Sequence, residues 1–120
     1  MIKSDKHDIE FIKYKSDGLL PEESDGFYII KANIPIKIDR IIIFPGDTAI
    51  IPTGIALKKY NLTTQDIYIS DNFKDLLYIK GVTGFFQDIG NEITITVKNI
   101  TNKHISIEDE DNILKISKRD

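Results

Sequence analysis

The sequence predicts an all-β domain with two antiparallel sheets and almost no helix. Isoleucine dominates the apolar residues, with 25 copies in 120 residues against two valines and three alanines, and β-branched side chains suit the half-buried surface of a sheet. Apolar residues recur with period two, and no segment keeps them at helical spacing for more than about two turns. Turn signals separate these segments at roughly 8–12-residue intervals, which is typical of β-sandwiches and barrels.

The strand candidates follow one another along the chain. The first 17 residues are weakly patterned, and Ile9, Phe11 and Ile12 among charges indicate an edge strand or an arm that docks on a neighbour. Further strands are predicted at residues 27–31, 34–38, 41–44, 48–51, 55–60, 67–70, 76–80, 93–97, 105–107 and 113–117. Turns are predicted at residues 24–26, 45–47, 70–72, 90–91 and 99–102. At most one helical turn is expected, within residues 62–72.

The length and composition of the chain limit its number of domains and the kinds of partner that it can bind. We expect residues 1–17 to form the arm or edge strand and residues 18–120 to form one β domain with a single core. The sequence has no cysteine, which excludes disulfides and thiolate metal sites. No apolar run approaches the ~20 residues of a membrane span, and a net charge of −3 argues against a nucleic-acid surface. A soluble protein with neither a membrane nor a nucleic-acid partner is therefore expected.

Two turns in the middle of the chain carry a resemblance to a known family. Pro45 presets φ and Gly46 tolerates a positive φ, so a tight turn ends one apolar run there. A second run leads to Pro-Thr-Gly at residues 52–54 and then to a new strand. This spacing resembles the trimeric dUTPase family, which has a Pro-Gly turn followed by a hydrophobic strand and Thr-Gly-Ile. The resemblance implies a dUTPase-like β-clip or jelly roll from about residue 19 to residue 116.

Other segments resemble the family's motifs in the same order. Residues 24–29, Ser-Asp-Gly-Phe-Tyr-Ile, resemble the opening Ala-Gly-Tyr-Asp-Leu, and residues 81–82, Gly-Val, resemble the pair after the Arg-Ser-Gly motif. Residues 97–99 and 111–113 resemble the later Asn and Gly-Asp-Arg-Ile segments. The resemblance implies that active members bind Mg²⁺-complexed dUTP between the subunits of a trimer. An Asp activates the attacking water, a Tyr stacks on the deoxyribose, and Arg, Ser and Gln contact the phosphates.

The metal and phosphate positions of this chain depart from the family's pattern. Tyr28 stands at the Asp of the opening motif, and residues 73–77, Phe-Lys-Asp-Leu-Leu, stand where Arg-Ser-Gly-Leu-Ala is expected. Lys115 replaces the Gln of the fourth motif. No Arg lies between Arg40 and Arg119, and a Lys lacks the bidentate planar fork of Arg. The phosphate-binding Arg is therefore absent in any register.

This chain also departs from the family's pattern at the general base. Phe86 takes the place of the catalytic Asp, and Ile89 takes the place of the sugar-stacking Tyr. Asp88 is the carboxylate that remains close to the expected base, and an ordinary turn or edge residue is favoured over a catalytic role. Because phosphoryl hydrolysis depends on positioned charge and metal, the sequence predicts a scaffold that is not an enzyme, with no catalytic residue, metal or cofactor.

The remaining candidates favour structural roles. The acidic run at residues 108–111 lacks the spacing of a calcium loop and is expected to be a solvated loop between two strands. His7 and His104 have no carboxylate at ligand spacing, so no metal role is predicted for either. Phe85 and Phe86 should face opposite sides of a strand. One ring is expected in the core and the other at a subunit interface.

Three functions remain open, and the first is favoured. It is a non-catalytic interaction or structural module, a homotrimer that binds another protein of a larger assembly. Ile and Lys in place of Val, Ala and Arg indicate an AT-rich genome, which together with the small size suits a viral or phage structural protein that decorates a capsid. Its location would then be the virion or host cytoplasm, and otherwise the cytoplasm.

The second function is a divergent dUTP diphosphatase or dCTP deaminase relative with a relocated site. The third is an unrelated jelly roll that shares only turn chemistry.

Overall fold

The computed structural model describes residues 9–59, 62–63 and 66–118. The strands are β1 (Phe11–Lys13), β2 (Glu22–Ser24), β3 (Phe27–Lys31), β4 (Arg40–Ile43), β5 (Thr48–Leu57), β6 (Ile67–Ile69), β7 (Leu77–Thr83), β8 (Glu92–Asn99), β9 (Ile105–Glu108) and β10 (Asn112–Ser117). A 3₁₀ turn at Asp71–Phe73 overlaps the end of the segment predicted to hold one helical turn. The all-β class is confirmed. In the described part of the chain, no helix has both the length and the apolar character needed to cross a membrane.

The strands form two four-stranded sheets and a two-stranded ribbon. The first sheet has the order β1-β5-β8-β7, the second has the order β2-β3-β10-β6, and β4 pairs with β9. All of these strand pairs are antiparallel. The two predicted antiparallel sheets are thus confirmed, and the ribbon adds a short third layer.

Strict alternation of apolar residues builds the core. Along β8, every second side chain from Ile93 to Val97 is fully buried while the threonines between them keep part of their surface. In β5 and β10 the alternation gives way to consecutive buried residues, such as Ile113 and Leu114. The largest fully buried side chains are Phe85, Ile30, Ile43, Ile51, Ile55, Leu57, Ile93, Ile95, Ile107, Ile113, Leu114 and Ile116. Isoleucine therefore supplies most of the core, where its β-branched side chain suits the inner faces of the sheets.

The strand predicted at residues 34–38 is wrong. Residues 36–38 form a turn in which the backbone N–H groups of Ile38 and Asp39 donate to Pro35 O at 2.9 and 3.1 Å. Ile34 is buried, whereas Ile36 is 95% exposed. Pro35 has no N–H to give to a ladder and presets φ for a turn, so its chemistry outweighs the alternation of isoleucines around it.

The break predicted between two strands at residues 52–54 is a bulge within one long strand, β5. The pairing of β5 with β8 shifts register between Pro52 and Ala56, and Gly54 has φ of 70°. The Thr53 hydroxyl donates to Ile93 O across the bulge at 2.6 Å. The chain therefore bends there without leaving the sheet. Tyr60, at the end of the predicted strand 55–60, lies outside the described residues.

The N-terminal segment contains an edge strand. β1 pairs with the end of β5, and the N–H groups of Tyr14 and Lys15 both donate to Gly54 O. Gly18 packs so closely there that a Cβ would lie 2.1 Å from Gly54 O. Residues 1–8 lie outside the described residues, and the division of the chain at residue 17 stays a prediction.

Candidate functional site

Two of the four segments that resemble catalytic motifs lie side by side on β3 and β10 of the second sheet, and the 3₁₀ turn that leads into a third lies beside them. Lys115 of β10 lies directly opposite Ile29 of β3 and, on its other side, opposite Tyr68 of β6. The 3₁₀ turn brings Asp71 within 2.9 Å of Lys115 Nζ. A cavity of about 300 Å³ lies among these segments, with Asn112 in its wall. Of the positions that the resemblance assigns to metal and phosphate, Lys115 lines this cavity, whereas Tyr28 and residues 73–75 do not.

The charges at this place neutralise each other. Lys115 Nζ also lies 4.5 Å from the centroid of the Phe27 ring, an arrangement in which the ring face attracts the cation. The hydrogen bond from Lys115, followed by its charge, holds the pKa of Asp71 below its usual value. Asp71 therefore stays ionised and paired with Lys115 over the ordinary pH range.

The donor set does not fit a Mg²⁺-nucleotide complex. Mg²⁺ binds through carboxylate and phosphate oxygens, yet Tyr28 occupies the Asp position and packs edge-on against Phe11, with ring centroids 5.4 Å apart. Lys118 Nζ lies 5.5 Å from the Tyr28 ring. Among the described residues, no group of three or more His, Cys, Asp or Glu side chains is placed to hold a metal ion.

The segment that resembles the general-base motif lies at the far end of β7. Asp88 Oδ2 accepts a hydrogen bond from Gly84 N at 2.8 Å, and Oδ1 accepts one from Phe86 N at 3.4 Å. The bond from Gly84 is the main reason why the pKa of Asp88 lies below its usual value. Phe86 and Ile89 pack against the core. Within one chain, the seven residues of β7 separate this loop from Asp71 by about 20 Å.

Phe85 and Phe86 lie in the bend after β7 rather than on a strand. Phe85 has no exposed surface and is part of the core, whereas Phe86 is half-buried, with its ring centroid 6.3 Å from that of Phe85. The interface role of this pair stays a prediction, and Phe86 is the member that has surface to offer.

The acidic run and the histidines take structural positions. Asp109 Oδ1 accepts a hydrogen bond from Ile34 N, and Asp111 Oδ2 accepts one from Glu108 N, both at 2.8 Å. Asp111 therefore serves the backbone of the turn between β9 and β10, and Asp109 ties that turn to the segment after β3. His104 stacks edge-on against Phe44 at 4.5 Å, and His7 lies outside the described residues.

Two residues with positive φ stand at positions where the family's motifs have glycine. Asp75, with φ of 66°, stands at the Gly of Arg-Ser-Gly, and Glu110, with φ of 70°, stands at the Gly of Gly-Asp-Arg-Ile. Glycine adopts this conformation without strain, and Asp tolerates it better than most residues do. At both positions the backbone thus adopts the conformation that glycine favours, although neither glycine is present.

The sequence prediction missed a groove between β6 and β7. It has a volume of about 460 Å³, with a floor of Ile67, Ile69, Leu77 and Ile79 and with Tyr68 and Tyr78 at its rim. Both tyrosines are exposed, at 44% and 59%. In the sequence both strands carry a tyrosine at an outward position between two inward apolar residues, a pattern that is ordinary for a strand and does not reveal the groove.

Comparisons with known proteins find the fold but no close relative. No family model and no curated protein matches the sequence. Among solved structures, the EIAV dUTPase is 16% identical, with a TM-score of 0.65 over 91% of this chain and 85% of that one. The Streptococcus mutans dUTPase is 19% identical, with a TM-score of 0.61 over 88% of this chain and 90% of that one. The dUTPase from phage phi11 of S. aureus is 13% identical, with a TM-score of 0.67 over 91% of this chain and 87% of that one. The chain has a dUTPase-like fold. At these identities, the similarity is one of fold alone.

Proposed function

We propose that the protein is a non-catalytic interaction or structural module on a dUTPase-like scaffold. The observation that carries this proposal is the set of residues that occupy the general-base segment and the contacts that they make. Phe86 and Ile89 pack against the core, and both Asp88 oxygens accept hydrogen bonds from the backbone of their own loop. A general base must lie within hydrogen-bond reach of the water that it activates, and Asp88 is committed to its loop instead.

The phosphate side of the scaffold supports the same function. Lys115 is paired with Asp71, and the sequence offers no Arg between Arg40 and Arg119. Loss of one positioned base or one charge-stabilising donor typically lowers the rate by roughly 10²–10⁴. Such losses do not simply add, but two of them leave turnover near background.

We further propose that the module is a homotrimer that contacts another protein of a larger assembly. The resemblance implies a trimer, and the outer face of the first sheet exposes Ile50 at 63%, with Thr96 directly opposite it on β8. Ile100 and Leu76, both exposed, are joined at the edge of this face by a backbone hydrogen bond. Exposed apolar surface of this kind typically marks a protein contact. A viral or capsid-decorating role stays a prediction.

A nucleotide hydrolase is the second candidate, because solved structures that share the fold are dUTPases. A site assembled between subunits would draw on residues that lie far apart in one chain, as the loop of Asp88 and the 3₁₀ turn do. This candidate needs Asp88 to act as the base through the lone pairs that its two backbone partners leave available.

Nucleotide turnover distinguishes the two candidates. The purified protein is incubated with dUTP, dCTP and the other nucleoside triphosphates in the presence of Mg²⁺, and the release of pyrophosphate and deamination are measured. We expect neither above background. Turnover that persists in Phe86→Ala, is lost in Asp88→Asn and is kept in the neighbouring control Gln87→Ala would contradict the proposal and establish the enzyme.

A further inference from the structure

The groove between β6 and β7 is bounded by two free sheet edges. The two strands follow one another in the chain, yet among the described strands each is the outermost of its own sheet and they do not pair with each other. The 3₁₀ turn between them closes one end of the groove, near Asp71 and Lys74. The groove continues along β7 as a further 350 Å³ that reaches Val82. Backbone N–H and C=O groups therefore border an open channel on both sides.

The rim of this groove is positively charged. Lys74 and Lys80 line it and are exposed, and neither forms an ion pair with any residue that the structure describes. Asp71 is the carboxylate in the lining, and Lys115 already neutralises it. A net positive groove on a chain with a net charge of −3 favours an acidic partner, because complementary charge raises association rates and excludes partners of the wrong sign.

The shape of the groove favours an extended chain over a compact ligand. An extended peptide adds to a free sheet edge through main-chain hydrogen bonds, while alternate side chains enter an apolar floor. Here Ile67, Ile69 and Ile79 supply such a floor. The pairing of β7 with β8 shifts register between Ile79 and Gly81, and a bulge of this kind limits further pairing along the edge. Continuous pairing would therefore involve residues 77–79.

We infer that this groove binds an extended acidic segment of a partner protein. The segment pairs with the free edge of β7 at residues 77–79, places aliphatic side chains on the floor, and places carboxylates beside Lys74 and Lys80. This inference rests on the proposed interaction role and gives the chemistry of the partner. A second copy of the chain fits less well, because its own acidic edge strand, β2, has Glu22 and Glu23 paired with Lys31 and Lys118.

A designed peptide tests the inference on the full chain. The probe is the blocked peptide Glu-Val-Glu-Ile-Glu-Val-Glu, and the charge control is Lys-Val-Lys-Ile-Lys-Val-Lys, both followed by titration calorimetry. We expect the acidic peptide alone to bind. The double variant Lys74→Glu/Lys80→Glu should weaken binding about tenfold or more, whereas Lys37→Glu/Lys103→Glu, which changes the net charge equally at exposed sites elsewhere, should change it by less than about twofold.

Amide hydrogen exchange separates strand addition from simple charge attraction. Bound peptide should slow exchange at those amides of residues 77–79 that point away from β8, because only these are free to pair with it. No binding, equal weakening in both double variants, or binding without slower exchange at these amides would overturn the inference. Self-association that is lost in Lys74→Glu/Lys80→Glu would also overturn it, with a second copy as the occupant. Nucleotide turnover, measured separately, would overturn the proposed function whatever the peptide does.

Discussion

Asp88 closes the loop after β7 through its hydrogen bonds to Gly84 N and Phe86 N. We expect Asp88→Ala to lower the free energy of unfolding by roughly 1–3 kcal/mol, because two backbone N–H groups lose their acceptor. Asp88→Asn, which keeps one side-chain oxygen, should cost less. Urea unfolding measures both. The exposed neighbour Gln87 is the control, and Gln87→Ala should stay within about 0.5 kcal/mol of the wild type. Equal effects of Asp88→Ala and Gln87→Ala would show that the loop does not depend on Asp88.

Stability should fall in acid because two carboxyl groups titrate at lower pH in the folded chain. Lys115 lowers the pKa of Asp71, and the Gly84 backbone N–H lowers the pKa of Asp88, both from an ordinary value of 3.8. Each contribution is complete above that ordinary value and is lost as the pH falls through the folded pKa. We expect the urea midpoint to drop as the pH falls from about 5 to below the ordinary value of 3.8, and to drop less in Asp88→Asn. An identical pH profile in that variant would contradict the assignment.

Asn99 joins the end of β8 to the ribbon. Its side chain is fully buried, and its Nδ2 donates to Ile43 O at 2.9 Å and to Lys103 O at 2.7 Å. Its Oδ1 accepts from Thr101 N at 2.8 Å. We expect Asn99→Ala to cost roughly 2–4 kcal/mol, because buried backbone groups are left without partners.

Chemical denaturation of Asn99→Ala, with Asn102→Ala as the control, measures this cost. Asn102 lies in the same loop but is exposed. Its replacement should change the free energy of unfolding by less than about 0.5 kcal/mol. If both variants were equally stable, the ribbon would be held by its apolar contacts and not by Asn99.

Alternating isoleucines predicted a strand in two segments, and the prediction was right in one and wrong in the other. It predicted β8 correctly, because threonines separate Ile93, Ile95 and Val97 and leave both ladder edges free to pair. It failed at residues 34–38, where Pro35 directs the chain into a turn. In a chain with 25 isoleucines, alternation arises readily, so a proline within it carries more information than the pattern does.

The oligomeric state is testable on the whole molecule. We expect sedimentation equilibrium at micromolar concentration to give about three times the 13.7 kDa chain mass, because an exposed apolar sheet face gains by burial between subunits. Ile50→Lys should release monomers, since it would bury a charge in that contact. Ile36→Lys, at a fully accessible turn, is the control and should remain trimeric. A wild-type monomer would refute the trimer.

The candidate sites differ in how far they could be anticipated. The departures at Tyr28, Phe86 and Lys115 are visible from motif spacing, and the positive φ of Asp75 and Glu110 agrees with that spacing. The groove between β6 and β7 was not anticipated, because consecutive strands joined by a short turn usually pair as a hairpin. Here the second sheet takes β6 and the first sheet takes β7, which local pattern does not reveal.

Local chemistry along the chain establishes the all-β class, the turn at Gly46 and the lack of an Arg in the phosphate segment, because propensity and composition act over a few residues. Long-range packing establishes the rest. Lys115 meets Asp71 across 44 positions of sequence because β10 is placed between β3 and β6. Asp88 becomes a loop acceptor because Phe85 is drawn into the core beside it. Both depend on strand order and register, which are set by the burial of all the inner faces at once.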